Sequence, residues 1–233
     1  MEKGVISVLL PALNEEETIG KVIDGIPQEL LREKGYDVEV VVVDGNSNDR
    51  TIDIARARGA RILTQKGYGK GDAVGLAFTK VRGSYVFMLD ADDTYNPRSI
   101  IKMLPYLETG MFDVVLGSRF LGRIEPGAMP PVNVIGNKVL TSTANMLFPN
   151  GHKTSDVCTG MWGFNRRAIK GLGIDSKRFE LEVEMYAKLI KRGFKVGEVP
   201  INYKKRKTFA KLKSVRDGIR IWFRLLLEKI RQE

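Results

Sequence analysis

The 233-residue chain contains one cysteine and one histidine. A single cysteine, Cys158, excludes an internal disulfide and a cysteine-rich zinc cluster, and fits a reducing compartment; it reads as a small buried hydrophobe. His152 falls in the loop P-N-G-H-K and reads as an exposed loop residue rather than a ligand. No apolar run approaches the roughly 18 residues of a membrane span, and residues 1–10 are too short and too strand-like for a signal peptide. A cytoplasmic chain is expected. Glycine is missing where a dinucleotide fold would want it: the turn after the first strand reads P-A-L-N-E. The glycine-rich loop K-G-Y-G-K-G (66–71) comes later and lacks the G-x-x-x-x-G-K-[ST] spacing of a phosphate-binding P-loop.

What is present supports a globular fold. With 43% apolar residues, the chain can bury a full core as one α/β domain, or one domain with an appendage. The formal charge of +10 is unevenly placed: residues 188–233 hold 15 Lys and Arg against 4 acids, leaving 23 basic and 24 acidic residues before them. A basic segment of this kind suits nucleic acid, an anionic membrane or a phosphorylated substrate.

Strands and helices alternate along the first half. Residues 5–10 (V-I-S-V-L-L), 38–43, 62–63, 85–89 and 113–116 read as strands, the first followed by a P-A-L-N turn and three glutamates suited to a helix's first turn. Helices are predicted from residue 19 to 26, over 51–58 and 73–81, from Pro97 onward, and over 180–191. This alternation implies a doubly wound, mainly parallel sheet, whose ligands bind at the carboxyl ends of the strands. Asn14 and Glu15, Asp44, Lys70, Asp90 with Asp92, and Ser118 with Arg119 all fall at those ends.

The fourth strand is the informative one, because its buried run ends in D-A-D-D. In an extended segment residues two apart point the same way, so Asp90 and Asp92 would share a face and offer oxygens to one hard cation, Mg2+ or Mn2+, which could bind a diphosphate. The alternative is that these acids only cap the helix opening near Pro97. Asp44 likewise either caps a turn or accepts hydrogen bonds from a base or ribose.

P-A-L-N-E-E-E, V-V-V-D-G-N-S-N-D-R-T, K-G-Y-G-K-G, D-A-D-D and G-S-R-F, in this order, resemble the nucleotide-sugar half of family 2 glycosyltransferases with the GT-A fold, over residues 5 to about 120. The resemblance places Pro11, Ala12, Asn14 and Glu15 at the nucleotide, Asp44 at its base and Lys70 near the base or phosphates. It makes Asp90 and Asp92 the holders of metal and diphosphate. Further on, D-V-C-T-G-M-W-G-F-N-R-R, F-E-L-E-V-E-M, G-F-K-V-G-E-V-P-I-N-Y-K-K-R and Lys211-Leu212 are similar to the polyprenyl-phosphate hexose synthases, including dolichyl-phosphate mannose and glucose synthases. That resemblance implies that Arg119 and Arg206 bind phosphates. It departs at Thr94, where mannose synthases often carry Gln, at residues 123–131, which with the following helix offer only Arg123 and Lys138, and at Gly160-Met161-Trp162 in place of G-F-R. Trp162 and Phe164 read as core or pocket wall.

The implied reaction is metal-dependent, inverting transfer of a hexose or N-acetylhexosamine from a UDP- or GDP-sugar to a polyprenyl phosphate. A phosphate monoester with a second pKa near 6 is mostly dianionic at neutral pH and needs no general base. Glu182 lies where relatives place a base or a sugar contact, or else is a solvated acid on its helix. The expected organisation is a catalytic domain over residues 1–212, in halves 1–120 and 121–212, followed by an amphipathic basic helix over 213–233. In that helix Ile219, Trp222, Phe223, Leu226 and Ile230 recur at helical spacing among Arg216, Arg220, Arg224, Lys229 and Arg231. Such a helix suits the headgroup boundary of an anionic membrane, or packs its stripe on the domain. A peripheral protein on the cytoplasmic face is expected, without nucleic acid, with self-association or a membrane partner as ways to hold it there. A soluble transferase using a small phosphorylated acceptor such as a phosphoglycerate, and a catalytically silent binding or scaffold protein, remain open.

Overall fold

The structure, a computed structural model, describes residues 4–207 and 214–231. Strands β1 (Gly4–Ala12), β2 (Tyr36–Asp44), β3 (Arg61–Thr64), β4 (Tyr85–Met88), β5 (Val114–Ser118), β6 (Trp162–Asn165) and β7 (Val196–Pro200) form one sheet in the order β3-β2-β1-β4-β6-β5-β7. All pairings are parallel except those of β6, which runs antiparallel between β4 and β5. This is the expected doubly wound, mainly parallel GT-A sheet. The expectation contained neither β6 nor β7.

The helices are α1 (Ile19–Asp24), α2 (Gln28–Glu33), α3 (Thr51–Ala57), α4 (Lys70–Lys80), α5 (Ile100–Glu108), α6 (Pro131–Leu147), α7 (Arg166–Ile169), α8 (Leu181–Lys191) and α9 (Ser214–Ile230). Two cores sandwich the sheet, because successive strand residues face opposite sides. Val41 and Val43 of β2 join α4, α6, α8 and α9 on one face. Val40 and Val42 join α1, α2, α3 and α5 on the other. Trp162 and Phe164 are fully buried and stack with centroids 5.7 Å apart, so both are core.

Several boundaries differ from the sequence reading. β1 continues through Pro11 and Ala12, which pair with Val43 and Asp44, so the turn starts later. Residues 15–17 precede α1 instead of forming its first turn. Lys70 and Gly71 belong to the first turn of α4. β4 ends at Met88, and the acids sit on a bent segment in which Asp93 has φ 60°, so strand alternation is not what aligns Asp90 with Asp92. Their capping role fails too: Asn96 accepts from the Arg98 amide and caps the 3-10 turn Pro97–Ser99 that precedes α5.

α9 docks through residues the sequence reading did not single out. Ile221 and Leu225 enter the core and Asp217 and Glu228 are buried, whereas Ile219, Trp222, Phe223 and Ile230 are exposed. The stripe singled out in the sequence therefore faces outward in the main, and the helix packs on the domain by another face. Arg224 is not a free surface cation: its Nη2 lies 2.7 Å from both Glu184 and Glu228. Among the described residues no helix is long and apolar enough to cross a membrane.

Candidate active site

At the carboxyl ends of the parallel strands lies a cavity of about 560 Å3. Pro11, Ala12, Glu15, Lys70, Asp90, Asp92, Arg119 and Arg206 all line it, so the fold brings together eight of the ten residues expected at the site. Asn14 and Asp44 are not among the described lining residues. Asp44 is buried and accepts from the amides of Asn46 (3.0 Å) and Ser47 (3.1 Å), the turn-capping alternative. Asn14, at φ 52°, accepts from the Asn48 amide and donates its own to Ser47 Oγ, tying the turn after β1 to the turn after β2. Both residues shape the rim through their loops.

The acids and cations of the cavity form two linked groups. Lys70 Nζ bridges Asp90 (2.6 Å) and Glu182 (2.7 Å). Burial alone would pull the Lys70 pKa down, but the two carboxylates outweigh it and hold the ammonium above its usual range. Arg206 reaches Glu15 (2.9 Å) and Asp92 (3.3 Å). Thr94 turns Asp92 by donating both its amide (3.1 Å) and its hydroxyl (2.6 Å) to one carboxylate oxygen. Burial, and Asp90 beside it, push the Asp92 carboxyl above the usual carboxylate range. Glu182 is raised by burial against the pull of Lys70. It is therefore no solvated acid. α8 is buried on nearly every face, so the acids of L-E-V-E-M could not turn to water.

Arg119 is placed differently. It is buried, donates Nε and Nη2 to Asp156 at 2.7 Å each, and lies 5.4 Å from the Tyr203 ring centroid. Its charge is matched by a fully buried carboxylate. Tyr95 packs edge-on to Tyr203 at 5.2 Å, and its hydroxyl accepts from the Gly160 amide. A side chain at Gly160 would put Cβ 2.3 Å from Asp90 Oδ2, so any other residue would have to displace the Asp90 carboxylate. Sequence reasoning missed Asp156, Tyr95 and Tyr203. The D-V-C-T-G run was noted, but nothing local ties Asp156 to a partner 37 positions back.

The glycines of K-G-Y-G-K-G have a packing role. A Cβ on Gly69 or Gly71 would fall 2.0 Å from the Lys177 carbonyl oxygen or 1.8 Å from that of Ser176. The loop is glycine-rich because another stretch of backbone crosses it, and the Gly71 amide donates to that Lys177 carbonyl. The crossing brings Arg178 over the Tyr68 ring at the cavity wall, 4.8 Å from its centroid. Cys158 also lines the cavity and is only partly buried, which corrects its reading as a core residue.

The donor set suits a hard divalent cation. Asp90 and Asp92 offer carboxylate oxygens, their mutual repulsion is eased by Lys70, Arg206 and the Thr94 hydrogen bonds, and a small hard cation accepts one or two carboxylates when phosphates and water complete its shell. Among the described residues no third acid, His or Cys joins them as a cage.

Residues 7–173 match the model of glycosyl transferase family 2. The chain belongs to this family. This family 2 glycosyltransferase is 38% identical over 216 residues to the low-salt glycan biosynthesis hexosyltransferase Agl6 of Haloferax volcanii, covering 92% of this chain and 51% of that protein. It is 34% identical over 216 residues to a dolichyl-phosphate hexose transferase of the same organism, covering 93% and 90%. The chain thus spans about half of the first relative and nearly all of the second. Its fold is similar to the crystal structure of Mycobacterium tuberculosis glucosyl-3-phosphoglycerate synthase in complex with Mn2+, UDP-glucose and phosphoglyceric acid. That match has TM-score 0.79 and 22% identity, covering 98% of this chain and 81% of that one.

Proposed function

We propose that this family 2 glycosyltransferase moves a hexose or N-acetylhexosamine from a nucleoside diphosphate sugar to a polyprenyl phosphate, with inversion, at the cytoplasmic surface of a membrane. The observation that carries the reading is the chemistry of the cavity. Its lining combines the charged Asp90, Asp92, Lys70 and Arg206 with the apolar Met129, Pro130, Val132, Leu140 and Ile221. A polar donor and an acceptor with a phosphate head and a hydrocarbon body suit that mixed lining. The named hexosyltransferase and dolichyl-phosphate hexose transferase relatives support the same reading.

In this reading an acceptor phosphate oxygen forms the new bond to the anomeric carbon as the bond from that carbon to the nucleoside diphosphate breaks. The electron pair leaves with the diphosphate, and no proton need be removed. A divalent cation, Mg2+ or Mn2+, would be held by Asp90 and Asp92 and would neutralise the diphosphate when bound. Arg206 compensates the charge of the incoming acceptor phosphate. Glu182 holds Lys70 beside Asp90, a positioning role in place of a base. Incubation with labelled UDP- and GDP-sugars, either metal and a polyprenyl phosphate tests the proposal; labelled lipid in no combination would refute it.

The second reading, transfer to a small phosphorylated acceptor, is favoured by the fold similarity to a protein crystallised with phosphoglyceric acid. The surface argues for the first. Residues 131–147 contain no acid and a single charged residue, Lys138, yet Val132, Ile135, Val139 and Met146 are exposed. The exposed Ile219, Trp222 and Phe223 of α9, a helix that packs against α6, add to these apolar side chains, and clustered exposed apolar residues mark interaction surfaces. The protein is expected to sediment with anionic vesicles, less with neutral ones, and less as salt rises. Changing Trp222 and Phe223 to Ser should weaken binding even at low salt, by a few kcal/mol for two buried aromatics. Because both are exposed, melting should hardly change. A large drop in melting temperature, with no vesicle binding by the parent protein, would assign the helix to the core.

The two arginines should separate by measurement. Arg206→Ala removes a charge-assisted contact at the cavity and is expected to reduce transfer while donor affinity, read by calorimetry, persists. Arg119→Ala strands the buried Asp156 carboxylate and should lower stability by about 3 kcal/mol or more. Equal loss of donor binding on Arg206→Ala would move that residue to the donor side.

A further inference from the structure

Part of the cavity is a slot lined by two helices, α6 and α9, that are bare where they border it. Gly136 of α6 and Gly218 of α9 both line it, and both are partly exposed. Among the described residues, a Cβ at either would meet no atom within 4 Å. Glycine weakens a helix interior, and here neither absence of a side chain accommodates any other described residue. At Gly71 and Gly160 close approach calls for glycine, since a Cβ would meet atoms at 1.8 and 2.3 Å, and at Gly59, Gly110, Gly127, Gly171 and Gly193 a positive φ does. Gly136 and Gly218 have neither reason. Around them in the cavity Val132, Leu140 and Ile221 are apolar, with Asn133 and Asn137 the polar side chains of α6.

α6 and α9 pack against one another, and the ring of Phe148, just past α6, lies 5.9 Å from the Lys229 ammonium near the end of α9. The helices therefore run in the same direction with their first halves beside the cavity. Outside the slot, the acids of α9, Asp217 and Glu228, are turned inward, and α6 has none. What these helices present outward is apolar residues together with Lys138, Arg216, Arg220 and Lys229. An anionic lipid surface complements that face. A hydrocarbon chain leaving the cavity through the slot would pass directly into such a surface.

We propose that the slot between α6 and α9, flanked by Gly136 and Gly218, holds the hydrocarbon chain of the acceptor and selects for long-chain over short-chain phosphates. This rests on the polyprenyl-phosphate reading of the cavity. Gly136→Leu and Gly218→Leu would fill the slot from either side, and Gly→Ala at each position gives a graded control. The readout is the ratio of kcat/KM for a long polyprenyl phosphate to that for a single-isoprene phosphate, with thermal melting as the check on folding. The ratio is expected to fall by about tenfold or more in each Leu variant, since excluding even two methylenes from apolar contact corresponds to about that factor. The Ala variants should lie between. An unchanged ratio in well-folded Leu variants overturns the slot while leaving the lipid acceptor standing. Absence of transfer to either phosphate by the parent protein overturns the acceptor reading and the slot with it. A Leu variant that melts far below its parent shows that the space belongs to the fold and also overturns the proposal.

Discussion

Asp92→Asn is expected to cut transfer about a hundredfold or more, roughly 3 kcal/mol of transition-state stabilisation, without loss of stability. The two outcomes diverge for an electrostatic reason. Asp92 is buried, faces Asp90, and has one carboxylate oxygen fixed by Thr94. Asn keeps an oxygen to accept from Thr94, and removing the charge relieves repulsion with Asp90 and the cost of burying an anion. A residue selected for the fold alone would not be left in that condition. Thermal melting should therefore stay level or rise while turnover collapses. A chelator should abolish transfer by the parent protein, and added Mg2+ or Mn2+ should restore it. Near-normal turnover by the variant would remove Asp92 from the metal assignment.

Glu184→Ala should lower stability by about 3–5 kcal/mol, because it breaks a buried ionic network instead of a surface pair. The Glu184 carboxylate is fully buried and accepts from the amides of Asp175 and Ser176, each at 2.8 Å. It also takes Lys188 at 2.7 Å from its own helix and Arg224 at 2.7 Å from α9. Without it, two cations would remain with reduced compensation where α8, α9 and the 170s loop meet. Lys191 reinforces this junction by donating to the carbonyls of Glu228 and Arg231 at the end of α9. The pH response follows from the same contacts. Burial raises the Glu184 pKa, but hydrogen bonds from Lys188, Ser176 and the two amides outweigh it, so the net shift is downward. A carboxyl held lower in the folded than in the unfolded chain contributes stability that is present above the ordinary glutamate value and lost as pH falls through the folded one. The parent should lose stability on acidification over that window, and Glu184→Ala should lose less of it. A melting curve within about 1 kcal/mol of the parent would place the docking of α9 in its apolar residues, Ile221 and Leu225.

Periodicity and strand-end chemistry were enough to read the alternating half of this chain. β1, β2, β4 and β5 are continuous apolar runs because both faces of the sheet are covered, and such runs stand out in sequence. β6 and β7 were missed because W-G-F-N and V-G-E-V-P are short and carry glycine or proline. Gly163 and Gly197 are glycines because Phe87 and Phe112 fill the space beside them, a long-range fact. Asp90, Asp92, Lys70, Glu15, Arg119 and Arg206 were named from the sequence, and the strand ends and loops bring them to one cavity.

By itself, then, the sequence determined the sheet's parallel character, the family and the acidic and basic residues of the site, since each rests on local composition or on motif order. Which charge meets which was decided only by the tertiary structure. Lys70 between Asp90 and Glu182, Arg119 on Asp156, and Arg224 on Glu184 join residues 20 to 112 positions apart along the chain, as the ion pairs show. The orientation of α9 was decided there as well. Its amphipathic pattern fits a membrane or a core equally, and only the packing of Ile221, Leu225 and Glu228 on the domain turned Trp222 and Phe223 outward. Local sequence sets what a helix can bury, but the partner surface, built from distant segments, fixes which of its faces is buried.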